Sequence, residues 1–167
     1  MHLFRKWSNG NLFHCRSRWI LAWDSAIKLV EKTKNRKISD NKKISIATDI
    51  GHINNNIIKH IDGSEFILLE ANYDPEVLRC SSYPFSLKSR IAGPNGHLPN
   101  ETAGKTIAHL LQSGLKQAML GHLSKESNFP ELAYQTVLDE LIRNDYNENS
   151  LSLGVASRDA HSKLIEL

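Results

Sequence analysis

Four polar residues follow or border strand-like apolar runs, and their side chains are of the kinds that bind metals or transfer protons. Asp49 and Glu70 carry carboxylates, and His97 and His122 carry imidazoles. Because a sheet fixes its strand ends while the adjoining loops approach a substrate, this placement favours a shared site. Considered singly, Asp49 is more typical of a turn aspartate that caps local N–H groups, and His122 of a hydrogen-bonded core or surface histidine. No regular ligand spacing such as HExxH or CxxC joins them, so spacing leaves both roles open.

The elements that must position these residues alternate along the chain. Apolar patterning predicts strands at 43–48, 65–70, 117–121 and 151–155, the second of them covered on both faces. Helices are predicted at 54–61, after Asp74 as N-cap, at 84–91, from Asn100 as N-cap to Gly114, and from Pro130 onward. Strands separated by helices of this length indicate an α/β fold.

The first 42 residues differ from the rest in charge. Residues 1–43 contain eleven Lys or Arg and three acids, a balance of +8, whereas residues 44–167 have a balance of −5. A short helix through residues 26–31, capped by Asp24 or Ser25, is predicted here, followed by a polar linker. Such a basic segment either attracts phosphate backbones or is a solvated tail that contacts nothing in particular.

The composition excludes several classes of protein. No stretch approaches the ~18–20 apolar residues that cross a bilayer, so no membrane association is expected. The N-terminus lacks the continuous apolar core of a secretory signal, and two cysteines make no disulfide framework. We therefore expect a cytoplasmic protein.

Four ordered motifs give a more specific indication. They are IATDIG at 46–51, LLEANYD at 68–74, GHLPNE at 96–101 and GHLSKESN at 121–128. Together they resemble the C-terminal half of a metallo-β-lactamase-fold hydrolase, in particular the YycJ/WalJ-type proteins, which are regarded as DNA exonucleases. The resemblance covers roughly residues 42–156. It implies an αββα sandwich of two sheets with helices outside, of which this chain would form the C-terminal half.

The resemblance also implies roles for the four polar residues. Asp49 matches the carboxylate that bridges two metal ions, and His122 matches the last histidine ligand. Glu70 and His97 are similar to a catalytic Glu/His pair near the scissile phosphate. The ions in intact relatives would be two Zn²⁺ or Mn²⁺, which neutralise phosphate oxygens during in-line displacement. His97 would then donate a proton to the leaving oxygen while Glu70 orients its ring.

The chain departs from the family pattern in its N-terminal part. The first metal motif, HxHxDH, is absent, and nothing in residues 1–42 replaces it, so the ligand set is incomplete and metal affinity should fall. Three explanations stay open: a truncated or frame-shifted product, a chain complemented by a separate N-terminal half, or a non-catalytic module. A homo-oligomer is the other partner state expected beside a complementing N-terminal half.

The chain is expected to consist of two parts. Residues 1–42 form a divergent basic segment, and residues 43–167 form the C-terminal part of a metallo-β-lactamase-like domain. The expected function is metal-dependent hydrolysis of phosphodiester bonds in the manner of a DNA exonuclease, weak or absent in the isolated chain. The alternative is a non-catalytic module in which the basic segment binds nucleic acid or a protein partner.

Overall fold

The computed structural model of the protein describes residues 26–31, 42–146, 150–158 and 160. Within these ranges lie five strands: β1 (Ala26–Glu31), β2 (Lys43–Thr48), β3 (Phe66–Glu70), β4 (Gln117–Gly121) and β5 (Ser152–Val155). The same ranges contain five helices: α1 (Asn55–Ile61), α2 (Pro75–Cys80), α3 (Phe85–Ile91), α4 (Asn100–Leu111) and α5 (Pro130–Arg143). The basic segment and the polar linker predicted within residues 1–43 fall mostly outside the described residues.

The strands form one sheet in the order β1-β2-β3-β4-β5. Strands β2 to β5 run parallel to one another, and β1 pairs antiparallel with β2 at the edge. Parallel neighbours need a crossover connection, and helices supply it between β2 and β5. The predicted α/β class is confirmed, and because β2, β3 and β4 are parallel, their carboxyl ends meet along one edge.

The structure corrects the prediction for residues 26–31. These residues form strand β1, not a helix, and they pair with β2 from Ala26 opposite Thr48 to Glu31 opposite Lys43. A short apolar run is compatible with either period, and a helix of six residues gains little stability by itself. Backbone pairing with the open edge of β2 therefore decides the conformation.

Helices cover one face of the sheet. Alternate strand residues point toward this face, where they pack against the apolar sides of α1, α4 and α5. The main buried residues there are Ala47, Ile57, Ile67, Leu69, Ile107, Leu120 and Val137. On the opposite face Phe66 and Leu68 are only half-buried, so the prediction that β3 is covered on both faces holds fully for one. One sheet with helices on one side is consistent with part of a metallo-β-lactamase-like sandwich.

The predicted helix starts are confirmed to within a residue, but one predicted N-cap is wrong. Asn54 caps α1 by accepting a hydrogen bond from the Ile57 N–H, and Asp74 caps α2 in the same way. Asn100 does not cap α4: Pro99 occupies the N-cap position, and the Asn100 amide instead bonds with Asn128. A buried pair of side-chain hydrogen bonds between Asn100 and Asn128 therefore links the starts of α4 and α5, in place of a local cap on α4.

Helices α2 and α3 form a small second cluster beside the main core. Tyr73, Leu78 and Ile91 are buried in it, and Tyr83 and Leu87 pack against them. These helices connect β3 to the loop that carries His97, so their position determines where that loop lies. Among the described residues, no helix is long and apolar enough to cross a membrane.

Candidate metal centre

The four residues singled out from the sequence meet at the carboxyl edge of the sheet. Asp49 follows β2, Glu70 is the last residue of β3, and His122 follows β4. The register sets Glu70 beside Gly121, directly before His122. His97 approaches from the loop between α3 and α4. Three strand ends and one loop thus bring together residues separated by as many as 73 positions in the sequence.

Glu70 is the centre of this arrangement. Its side chain is fully buried, and Oε1 accepts hydrogen bonds from Nδ1 of His97 and from Nδ1 of His122, both at 2.7 Å. Its other oxygen, Oε2, accepts from the backbone N–H of Ile50 at 2.7 Å. A carboxylate buried without partners would be very costly, and these three donors satisfy it. One side chain therefore orients both histidines and anchors the turn that carries Asp49.

The hydrogen bonds to Glu70 decide which ring nitrogens remain available. Because both Nδ1 atoms donate to the carboxylate, the Nε2 atoms of His97 and His122 are the positions left to bind a ligand. The two rings meet edge to face with centroids 5.2 Å apart. His122 Nε2 lies 3.9 Å from Oδ1 of Asp49. One ligand atom from each of Asp49, His97 and His122 lies within 4.8 Å of the others.

These separations fit a bound cation. Zn²⁺ is bound tetrahedrally by imidazole nitrogen and carboxylate oxygen at about 2.0–2.2 Å, so two of its ligand atoms lie about 3.4 Å apart. The distance of 3.9 Å between Oδ1 of Asp49 and Nε2 of His122 is close to this value, and a small side-chain movement would bring both atoms to one ion. Two nitrogens and one oxygen are also a donor set that Zn²⁺ and Mn²⁺ accept. The residues present therefore fit one divalent metal ion.

The backbone at two of these positions is left-handed. Asp49 has φ 58° and His122 has φ 56°, a conformation that costs a residue with a side chain about 1–2 kcal/mol relative to ordinary backbone. Asn72 stabilises one of these turns, since its side-chain N–H donates to the His122 carbonyl at 2.6 Å and its own carbonyl accepts from Ser124 N–H. The surrounding structure thus holds His122 in a strained conformation.

The loop that carries His97 is fixed by close backbone packing. The His97 N–H donates to the carbonyl of Ile91, the last residue of α3, at 2.9 Å. Gly51 lies so near this loop that a Cβ added there would fall 2.1 Å from the Pro94 carbonyl oxygen. A glycine at position 51 is therefore required for the loops of Asp49 and His97 to approach each other.

The charges around His122 act in both directions on its proton. The hydrogen bond to Glu70 raises the pKa of the His122 imidazole above its usual value, and the negative charge of Asp49 adds to this. Burial of the ring and the positive charge of Arg158 oppose the increase in pKa. The Arg158 guanidinium lies close by because it donates to the Leu123 carbonyl. A metal ion at His122 must displace a proton that Glu70 favours.

The sequence did not predict every feature of this centre. His97 was expected to act as a proton donor, yet the structure places its ring in the same group of ligand atoms as Asp49 and His122. The second hydrogen bond of Glu70, to His122, was also not predicted, since it joins residues 52 positions apart. Both follow from three parallel strands ending together. His52 is not part of the group; its Nδ1 lies 2.9 Å from the Pro94 carbonyl oxygen.

One mostly parallel sheet with an aspartate–histidine group at its carboxyl edge is consistent with a partial metallo-β-lactamase-like fold. Comparison with known proteins finds three curated relatives. The chain is 37% identical over 110 residues to the exodeoxyribonuclease WalJ of Streptococcus pneumoniae serotype 2 (strain D39 / NCTC 7466), covering 66% of this chain and 41% of the relative. The exodeoxyribonuclease WalJ of Streptococcus pneumoniae strain ATCC BAA-255 / R6 matches equally.

A third relative comes from another genus. The exodeoxyribonuclease YycJ of Bacillus anthracis is 35% identical over 99 residues, which are 59% of this chain and 38% of the relative. No protein-family model matches the chain. The chain spans about two fifths of the length of these curated relatives. The resemblance to the YycJ/WalJ-type proteins is thereby confirmed for the matched part.

Proposed function

We propose that the chain is a metal-dependent hydrolase that cleaves phosphodiester bonds in DNA, in the manner of an exonuclease. The observation that carries this proposal is the group of Asp49, His97 and His122, whose ligand atoms lie within 4.8 Å of one another beside a buried glutamate. The names of the relatives, exodeoxyribonucleases, support the nuclease class and the choice of DNA.

Asp49 and His122 are the residues proposed to hold the metal ion, Zn²⁺ or Mn²⁺. Such an ion, when bound, supplies a Lewis acid that offsets charge developing on the phosphate oxygens. The chain's own contribution is to fix the donor atoms in advance, because a preorganised ligand loses little freedom when it binds. The strained turns at both residues serve this purpose.

His97 is the proposed proton donor to the leaving oxygen. Its Nδ1 is bound to Glu70, which leaves Nε2 for proton transfer, and its ring belongs to the same group as Asp49 and His122. Glu70 touches neither metal nor substrate in this scheme. It acts through the two histidines, and we assign it as a positioning residue.

The isolated chain is proposed to be a weak enzyme. Its proposed ligands are Asp49 and His122 alone, and its sequence has no HxHxDH motif that would supply more. A two-metal site clamps both the attacking and the leaving oxygen, which one ion does less well. A complementing N-terminal half, or a second copy of the chain, is the proposed means of raising activity, and light scattering with each would detect the assembly.

Metal binding tests the proposal most directly. Calorimetric titration of the metal-free chain with Mn²⁺ or Zn²⁺ should show one ion bound, and Asp49→Asn or His122→Gln should weaken binding at least about tenfold because an inner ligand is lost. His60→Gln is the matched control, since His60 lies in α1, where its ring bonds to the Asn56 carbonyl, and is not part of the group of candidate ligands. Equal binding by all four proteins would refute the metal site.

A second measurement tests the chemistry and the role of His97. End-labelled linear DNA should be shortened slowly by the chain with Mn²⁺, and Asp49→Asn should abolish this. If His97 donates a proton, His97→Gln keeps its metal affinity and loses turnover. Loss of metal affinity in His97→Gln would instead make His97 a third ligand.

A further inference from the structure

Helix α3 presents a large aromatic side chain that the fold does not use. Phe85 is 85% exposed, whereas the other large apolar residues at the described surface are between 38% and 55% exposed. Leaving a phenylalanine in water forgoes the free energy of burial, so such exposure indicates a contact surface when other features support it.

The packing of α3 shows that Phe85 is directed away from the core. Leu87 and Ile91 of this helix pack in the second cluster with Tyr73 and Leu78. At 100° per residue, Phe85 lies about 200° around the helix from Leu87. Helix α3 is therefore packed against the rest of the protein by Leu87 and Ile91, without a contribution from Phe85.

The same helix is positively charged. From Val77 to Asn100 the sequence contains Arg79, Lys88 and Arg90 and not one Asp or Glu. Arg79 is paired with Glu76 within α2, and the Lys88 ammonium donates to the Arg79 carbonyl at 2.7 Å. Among the described residues no carboxylate forms an ion pair with Lys88 or Arg90. At 100° per residue, Lys88 lies about 60° around the helix from Phe85 on one side and Arg90 about 140° on the other. An exposed ring flanked by cations is a combination that binds bases and phosphates together.

This surface is joined directly to the candidate metal centre. The Ile91 carbonyl, at the end of α3, accepts the backbone hydrogen bond of His97. Gly96 packs so closely there that an added Cβ would lie 2.1 Å from the Ile91 carbonyl oxygen. Phe85 is six residues before Ile91, about 9 Å along the helix axis. A short strand whose end lies at His97 can therefore run along α3.

We propose that α3 is a platform for single-stranded DNA that leads the strand end to Asp49, His97 and His122. Phe85 stacks on an unpaired base, and Lys88 and Arg90 bind the neighbouring phosphates. This inference rests on the proposed function and deepens it by specifying the strand state. A base inside a duplex is stacked on its neighbours and offers no free face to Phe85, so the platform selects unpaired ends.

The test is an equilibrium binding measurement that needs no hydrolysis. Fluorescence anisotropy of a labelled oligothymidylate is measured with the full chain in EDTA, alongside a duplex of the same length. Phe85→Ala should weaken single-strand binding about tenfold, as loss of one stacked base does, and Phe85→Trp should retain it. Tyr134→Ala, an exposed aromatic of α5, is the matched control and should change nothing.

The salt dependence separates the cations from the ring. Replacing Lys88 and Arg90 together by Ala should reduce the slope of log K against log salt by about 1.4, because each phosphate contact on a single strand contributes about 0.7. Phe85→Ala should leave that slope unchanged. Far-UV circular dichroism of each variant should match the parent chain, since all three side chains lie at the surface.

The outcomes distinguish this platform from the proposed function. Weaker binding by Phe85→Ala, with no DNA shortening by any variant, keeps the platform and refutes the hydrolase. Metal-dependent shortening with equal binding by Phe85→Ala and the parent refutes the platform and keeps the hydrolase. Absence of oligothymidylate binding by the parent chain, or an equal loss for single strand and duplex in Phe85→Ala, also overturns the platform.

Discussion

The two ends of the parallel sheet turn the chain with different residues. At the amino end, the described left-handed residues in the loops that enter β3, β4 and β5 are Gly63, Gly114 and Asp145. At the carboxyl end, the left-handed residues are Asp49 after β2 and His122 after β4. Two of these three amino-end residues are glycines, which adopt the left-handed conformation without strain. The two carboxyl-end residues carry side chains, and for them the same conformation is strained.

This difference separates residues that serve the fold from residues that serve a site. A left-handed turn costs least with glycine, so an aspartate and a histidine at such turns have another use for their side chains. The two glutamates at the ends of β3 show the same contrast between a residue of the fold and a residue of the site. Glu65, before the strand, pairs with the exposed Lys116, while Glu70, at its end, is buried and accepts three hydrogen bonds.

The largest expected effect follows from removing the buried glutamate. Glu70→Ala leaves the Ile50 N–H and two histidine rings without their acceptor, and we expect a loss of about 3–4 kcal/mol in the free energy of unfolding. Urea denaturation measures it. Glu65→Ala is the matched control and should cost less than about 1 kcal/mol, because its partner is exposed. Similar costs for the two variants would erase the distinction between the ends.

The next largest effect is expected at Gly51. In Gly51→Ala the new Cβ meets the Pro94 carbonyl oxygen and the Gly96 nitrogen, which are backbone atoms and cannot rotate away. We expect a loss of about 2–3 kcal/mol and weaker metal binding, since the His97 loop must move. Gly154→Ala, whose Cβ would have its nearest neighbour at 4.0 Å, should change stability by less than about 0.5 kcal/mol. A harmless Gly51→Ala would contradict the close approach of the two loops.

Two substitutions at left-handed turns should change the free energy of unfolding in opposite directions. Gly63→Ala meets no atom within 4 Å, so its only cost is backbone strain, about 0.5–1 kcal/mol after the gain from a stiffer unfolded chain. Asp49→Gly relieves the same strain and should raise stability by about 0.5–1 kcal/mol while metal binding is lost. Thermal unfolding and metal titration of both variants check this. If Asp49→Gly destabilises the chain, Asp49 serves the fold after all.

The smallest effect is expected from the ion pair at the amino end. A double-mutant cycle of Glu65→Ala and Lys116→Ala should give a coupling energy below about 0.5 kcal/mol, because the Lys116 side chain is 69% exposed and its charge is screened by solvent. Chemical denaturation at low and high salt would measure it. A coupling above about 2 kcal/mol would make the amino end as dependent on buried charge as the carboxyl end.

Local sequence patterns predicted most of the framework. Strands β2 to β5 and helices α1 and α3 lie within a residue of the predicted ranges, because their apolar residues repeat at clear periods. Helices α2, α4 and α5 begin within a residue of their predicted starts, two of which are marked by Asp74 and Pro130. The class of fold followed from that order. Residues 26–31 were mistaken for a helix because their strand depends on pairing with residues 43–48, which no local pattern records.

The candidate centre was predictable as a set of residues but not as a network. The resemblance identified Asp49, Glu70, His97 and His122, and the parallel strand ends bring them together. The sharing of Glu70 between two histidines depends on side-chain directions that only the folded chain fixes. The same holds for Asn100, whose expected capping role is replaced by a partner 28 residues away. Exposure of Phe85 likewise depends on how α3 packs.

The amide pair behind the centre has a spectroscopic consequence. Asn100 and Asn128 exchange reciprocal hydrogen bonds, and Asn128 also donates to the Ala71 carbonyl and accepts from the Phe129 N–H. Because both side chains are buried, their NH₂ protons should exchange with solvent deuterium far more slowly than those of surface asparagines. Nuclear magnetic resonance could then measure the exchange rates of these two side-chain amides. The rates would report how often the starts of α4 and α5 separate, and the measurement needs no probe at the metal ligands.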